Sequence, residues 1–89
     1  MTSVVVEKNH IKISLSKSEA IILFEFLSRN WEKTQWNDQK LFIDPAEKQM
    51  LIWLEADLES VLEEPFSREY KEIVKKCYRD VVQNPADWS

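Results

Sequence analysis

The sequence contains no glycine, and that absence removes whole classes of function before any motif is sought. Loops that cradle a phosphate, whether a P-loop or a dinucleotide-binding turn, need glycine so that backbone N–H groups can approach the ligand closely. Neither can be built here. Cysteine is almost as scarce: Cys77 stands alone, so no intrachain disulfide can form, and the missing disulfide framework points to a reducing compartment, with the cytoplasm expected. The single histidine, His10, falls in an expected turn with no evident partner. Cys77 falls on an apolar helix stripe, where a thiol serves packing more often than reactivity. Long hydrophobic runs are missing too. The longest is far short of the ~20 residues that span a bilayer, and no basic flank precedes an N-terminal apolar stretch, so neither a membrane segment nor a secretory signal is expected.

What remains is a chain of 89 residues, enough for one domain with one core. Apolar residues make up 44% of it, with four Trp, four Phe and two Tyr to fill that core without a metal or a disulfide. The net charge of −4 repels phosphate backbones, so nucleic acid is not an expected ligand, whereas a basic protein is.

Along the chain, Val4 to Val6 and the alternating Ile11, Ile13 and Leu15 read as two strands (about 3–15) joined by a hairpin in which Asn9 can take a left-handed conformation. Ser16 and Glu19 form a capping box for a first helix over about 17–33. Ala20, Leu23, Phe24, Leu27 and Trp31 make its core face, and Ile22 with Phe26 form a second apolar pair expected to meet the hairpin. Asp44, Pro45 and Glu47 open a second helix over about 45–63, stopped before Pro65. Ser67 is the expected cap of a third helix over about 68–84, with Tyr70, Ile73, Val74, Cys77 and Val81 as its buried stripe. The expected class is α+β, mainly helical: an N-terminal β-hairpin packed on a three-helix bundle. Leu23, Leu27, Leu54, Leu58, Ile73 and Cys77 should share one core.

Catalytic equipment is poor, because an acid–base or nucleophilic site needs at least two polar groups held together. No catalytic residue, no cofactor and no metal site is expected, and the chain is not read as an enzyme. Glu55, Glu59 and Glu63 recur every fourth residue on helix 2; lacking histidine, they read as a solvated acidic ridge rather than metal ligands. Basic residues collect instead on helix 3, at Arg68, Lys71, Lys75, Lys76 and Arg79. Either neighbouring helices pair these charges, or the acidic ridge faces a basic partner. Glu63 and Glu64 sit where the helix 2 macrodipole disfavours acids, so something nearby should compensate them. Helix 2 also carries more apolar surface than one core face uses, since Ile52, Trp53 and Ala56 lie opposite the stripe of Leu51, Leu54, Leu58, Val61 and Leu62. Trp31 is expected in the core, while Trp36, Trp53 and Trp88 are candidate interface anchors.

The segments from Leu15-Ser16-Lys17-Ser18-Glu19-Ala20 to Leu23-Phe24-Glu25-Phe26-Leu27-Ser28, and from Trp53-Leu54-Glu55-Ala56-Asp57-Leu58-Glu59 to Glu64-Pro65-Phe66-Ser67-Arg68-Glu69-Tyr70, resemble a family of small bacterial proteins of similar length. The resemblance carries over no catalytic residue set. In size and charge alone the chain is similar to immunity proteins, which neutralise toxins. The expected function is therefore an acidic protein-binding domain of the immunity or inhibitor kind, its partner a basic toxin domain and its contacts Glu55, Glu59, Glu63, Trp36, Trp53 and Trp88. The alternative is a homo-oligomeric structural or regulatory module, a homodimer joined through the Ile52-Trp53-Ala56 side or an open hairpin edge.

Overall fold

A computed structural model of the chain describes residues 3–34 and 41–82. Two antiparallel strands, β1 (Ser3–Glu7) and β2 (His10–Ser14), lead into helices α1 (Lys17–Thr34), α2 (Pro45–Val61) and α3 (Tyr70–Val81), with a short 3-10 turn at Glu64–Phe66. The class is α+β and mainly helical.

Local chemistry sets the helix starts. At α1 the capping box closes in both directions: the Ser16 N–H donates to Glu19 Oε1 at 2.8 Å, and the Glu19 N–H donates to Ser16 Oγ at 3.1 Å. At α2, Asp44 is extended and its Oδ1 accepts the Ala46 N–H at 2.8 Å, with Pro45 in the first turn where a missing N–H costs nothing. Glu47 Oε1 reaches back to accept the Ile43 N–H at 2.8 Å. The α3 start differs from expectation. Ser67 Oγ accepts only the Glu69 N–H, at 3.1 Å, in a local turn, and the helix begins at Tyr70 with no side-chain cap. It also ends at Val81, short of Asn84-Pro85.

Buried side chains come from all three helices: Ile21, Phe24 and Leu27 of α1, Leu58 of α2 with Leu62 just beyond it, and Val74 and Cys77 of α3. Leu23, Leu51, Ile52 and Ile73 pack partly buried against them. Helix α1 is the shared element. Ser18 Oγ donates to Asp80 Oδ2 at 3.3 Å and Tyr70 Oη donates to Glu25 Oε2 at 2.8 Å, so α3 runs antiparallel to α1 and begins level with Glu25.

Three expected placements are corrected. Trp31 is 38% exposed, because it lies beyond the stretch of α1 that α3 covers. Leu54 is also 38% exposed, because α2 is rotated so that Leu51, Ile52, Leu58 and Leu62 meet the core. The hairpin is not packed over Ile22 and Phe26: every residue from Ser3 to Ser14 is exposed. The Ile22 and Phe26 side of α1 borders Tyr78 and Val81 of α3 and residues 41–42 instead. The residue with positive φ in the turn is Lys8, at 54°, and not Asn9. A left-handed conformation costs a side-chain-bearing residue roughly 1–2 kcal/mol.

Candidate partner-binding surface

The rotation of α2 divides it into three faces. Leu51 and Leu58 point into the core with Glu55 at its margin; Glu59 lies outward beside Glu55; and Met50, Trp53, Leu54 and Val61 form a stripe on the far flank. The helix ends at Val61 and not at Glu63 as expected, because Leu62 turns to extended backbone to bury its side chain, so Glu63 leads the 3-10 turn and does not continue the row of Glu55 and Glu59. Trp53 is 62% exposed, as an interface residue requires. The expected contacts Glu55, Glu59, Glu63 and Trp53 do not make one surface, since Trp53 lies on nearly the opposite side of α2 from Glu55 and Glu63 lies beyond the end of the helix. Trp36 and Trp88 lie outside the described residues.

The electrostatics of the acidic run separate its members. Glu55 is partly buried, and that desolvation, followed by repulsion from Glu59 and Glu32, raises its pKa above the usual carboxylate value. Glu64 is shifted the other way by hydrogen bonding with its own backbone and by the Lys17 ammonium, which lies 3.1 Å from its Oε2. Lys17, at the start of α1, therefore supplies the compensation expected near the end of α2. No ion pair among the described residues joins Glu55, Glu59 or Glu63 to the basic residues of α3.

An apolar concavity lies elsewhere. A groove of about 490 Å³ runs between α1, residues 41–42 and the first turns of α2, lined by Leu23, Phe26, Leu27, Leu41, Met50 and Leu51, with Glu47 at its rim. A second groove of about 370 Å³ shares Leu23 and Phe26 and continues over Ile22 to Tyr78 and Val81 of α3, with Glu19 and Arg29 at its edge. Phe26 is the more exposed of the two shared side chains. It is 47% exposed, and the Arg29 guanidinium stands 5.9 Å from its ring centroid. Met50 joins this band to the exposed α2 stripe.

Across Arg29 a more polar hollow of about 420 Å³ gathers Glu25, Arg29, Glu32, Glu59, Phe66 and Tyr70. Burial first, then the hydrogen bond to Glu25, raises the Tyr70 pKa. The phenol thus stays protonated as a donor, a structural tie between α1 and α3. Among the described residues no group of His, Cys, Asp and Glu is arranged to hold a metal ion, and no helix is long and apolar enough to cross a membrane.

The sequence reading missed Phe26, Leu41 and Met50 as surface residues. The signal for Phe26 is its rotation away from the main α1 face, on the side where the sequence pattern sets the hairpin. Compared with models of protein families, with curated proteins and with solved structures, the chain matches none.

Proposed function

We propose that this chain is a small acidic protein-binding domain that inhibits a basic protein by occupying it, as an immunity protein does a toxin. The observation that carries the reading is the apolar band centred on Phe26 on a chain of net charge −4. Among the described residues seven apolar side chains are buried while sixteen large ones are exposed, a balance that favours a surface completed by a partner over one that is only solvated. Phe26 and Trp53 act as anchors, and the exposed Glu59 and Glu63 steer a basic partner at long range. Glu55, drawn toward the core, is left out of the contact. The role is non-catalytic and needs no cofactor, and the reducing cytoplasm suits the lone Cys77.

The test begins with affinity capture from the native host, followed by binding kinetics on the purified captured protein. The partner should be basic, should associate more slowly as salt rises, and should dissociate at least about tenfold faster from Phe26→Ala or Trp53→Ala, with the helical circular dichroism unchanged. Capture of a protein that binds both variants like the wild type removes the proposed surface. A partner that is not basic removes the inhibitor reading.

A further inference from the structure

We infer that the hairpin is a self-association element: two copies of the chain join β1 to β1 across a two-fold axis, giving one four-stranded antiparallel sheet. This proposal uses a different surface from the Phe26 band and stands independently of it.

The register pairs Val4 with Ile13, Val5 with Lys12, Val6 with Ile11 and Glu7 with His10. Because strand side chains alternate between faces, Val4, Val6, Ile11 and Ile13 all lie on one face, and Ser3, Val5, Glu7, His10, Lys12 and Ser14 on the other. The second face is tied by an ion pair between Lys12 Nζ and Glu7 Oε2 at 2.7 Å. The first is wholly β-branched, with its four residues 62–73% exposed. A two-stranded ribbon of this kind is marginal in water; an apolar face becomes stable when the sheet has three or more strands or a helix against it. Among the described residues the sheet has two strands, and no helix covers either face.

The two edges are not equivalent, and the difference selects the occupant. Edge strands are kept from pairing by central charges, proline or bulges. β2 has such a guard in Lys12 at its centre; a symmetric β2 to β2 pairing would set Lys12 against its own copy, and like charges directly opposite repel. β1 has none: its centre is Val4-Val5-Val6, with no proline. Centred on Val5, a β1 to β1 pairing sets Val4 opposite Val6 of the second copy and Glu7 opposite Ser3 of the second copy, so the two carboxylates stand at opposite ends. The hydrogen-bond phase agrees. The two-residue turn makes Glu7 and His10 the hydrogen-bonded pair, and alternation then turns the backbone N–H and C=O of Val4 and Val6 outward. These are the groups the two-fold brings together. The resulting sheet gathers all eight β-branched side chains on one face, so a second copy of this chain completes both the edge and the face.

The same phase makes Val5 and Val5 of the second copy a non-hydrogen-bonded pair, with Cα atoms about 4.5 Å apart, within disulfide reach. The full chain should therefore sediment as a dimer in equilibrium with monomer. Val5→Cys should form a covalent dimer on mild oxidation, whereas Lys12→Cys, on the other strand, should not. Val5→Lys should raise the dimer dissociation constant by at least about tenfold by placing like charges together, and should leave the helical signal intact because the hairpin lies outside the core. A wild-type chain that stays monomeric at the highest soluble concentration overturns the proposal. So does a dimer that survives Val5→Lys, or one that cross-links through Lys12→Cys and not Val5→Cys.

Discussion

Helices α2 and α3 pack against the same core, yet only one of them is oriented by its own sequence. In α3 a single apolar stripe faces inward: Val74 and Cys77 are buried, with Tyr70 and Ile73 beside them. Every other side of that helix carries charge, so one rotation alone buries apolar surface without burying an ion. α2 has apolar residues on more than half its circumference, so its pattern alone does not select a rotation. The observed one buries Leu58 and Leu62 and leaves Leu54 at the surface. Leu58→Ala should therefore cost about 2–5 kcal/mol and Leu54→Ala less than about 1 kcal/mol, measured by chemical denaturation. Equal costs would restore the unrotated helix and bring Trp53 toward a different neighbour.

The same two helices differ at their starts, which allows a sharper comparison at a smaller scale. Asp44 caps α2 with a 2.8 Å hydrogen bond, whereas α3 begins after Ser67 and Glu69 without a side-chain cap. Asp44→Ala should destabilise the protein by about 1 kcal/mol, and Ser67→Ala by no more than about 0.5 kcal/mol. Thermal melts of the two variants check this. A larger loss at Ser67 would mean that α3 starts at the earlier position that its sequence pattern indicated.

These contrasts show which features the sequence made legible. Helix starts depend on residues three or four apart, so Ser16 with Glu19 and Asp44 with Glu47 announced α1 and α2. The two strands were legible from alternation two residues apart, whereas α2 ends at Val61, two residues before the stop that Pro65 predicts. Rotation of α2 and the seat of the hairpin depend on residues brought together from distant parts of the chain. Nothing local distinguished Leu54 from Leu58. Phe26 is legible as turned away from the main α1 face, but its exposure depends on where the hairpin lies, which no local pattern fixes. Lys8 carries the positive φ although Asn9 tolerates it better, because the pairing of Glu7 with His10 fixes the turn before side-chain preference acts. The acidic ridge was legible as a spacing, but the inward turn of Glu55 was not.

That inward turn gives the finest test of how α2 sits, because Glu55 and Glu64 belong to one acidic run and are shifted in opposite directions. A carboxylate whose folded pKa is raised binds its proton more tightly when folded. Stability on its account is greatest in acid and falls as pH rises from the ordinary carboxylate range through the raised value. A carboxylate whose folded pKa is lowered contributes stability above the ordinary range and loses it as pH falls through the lowered value. Glu55→Gln should accordingly match or exceed the wild type in stability near neutral pH, with the gain fading toward about pH 4. Glu64→Gln should be slightly less stable near neutral pH, its deficit shrinking as acid protonates the wild-type carboxylate and releases Lys17. Because its Lys17 partner is exposed, the effect of Glu64 is the smaller and should weaken further in high salt. Denaturation midpoints of the three proteins between about pH 4 and pH 7 would show two difference curves of opposite sign. If Glu55→Gln instead loses stability at neutral pH, its carboxylate is held by a favourable partner, and α2 must present it to a neighbour other than Glu32 and Glu59.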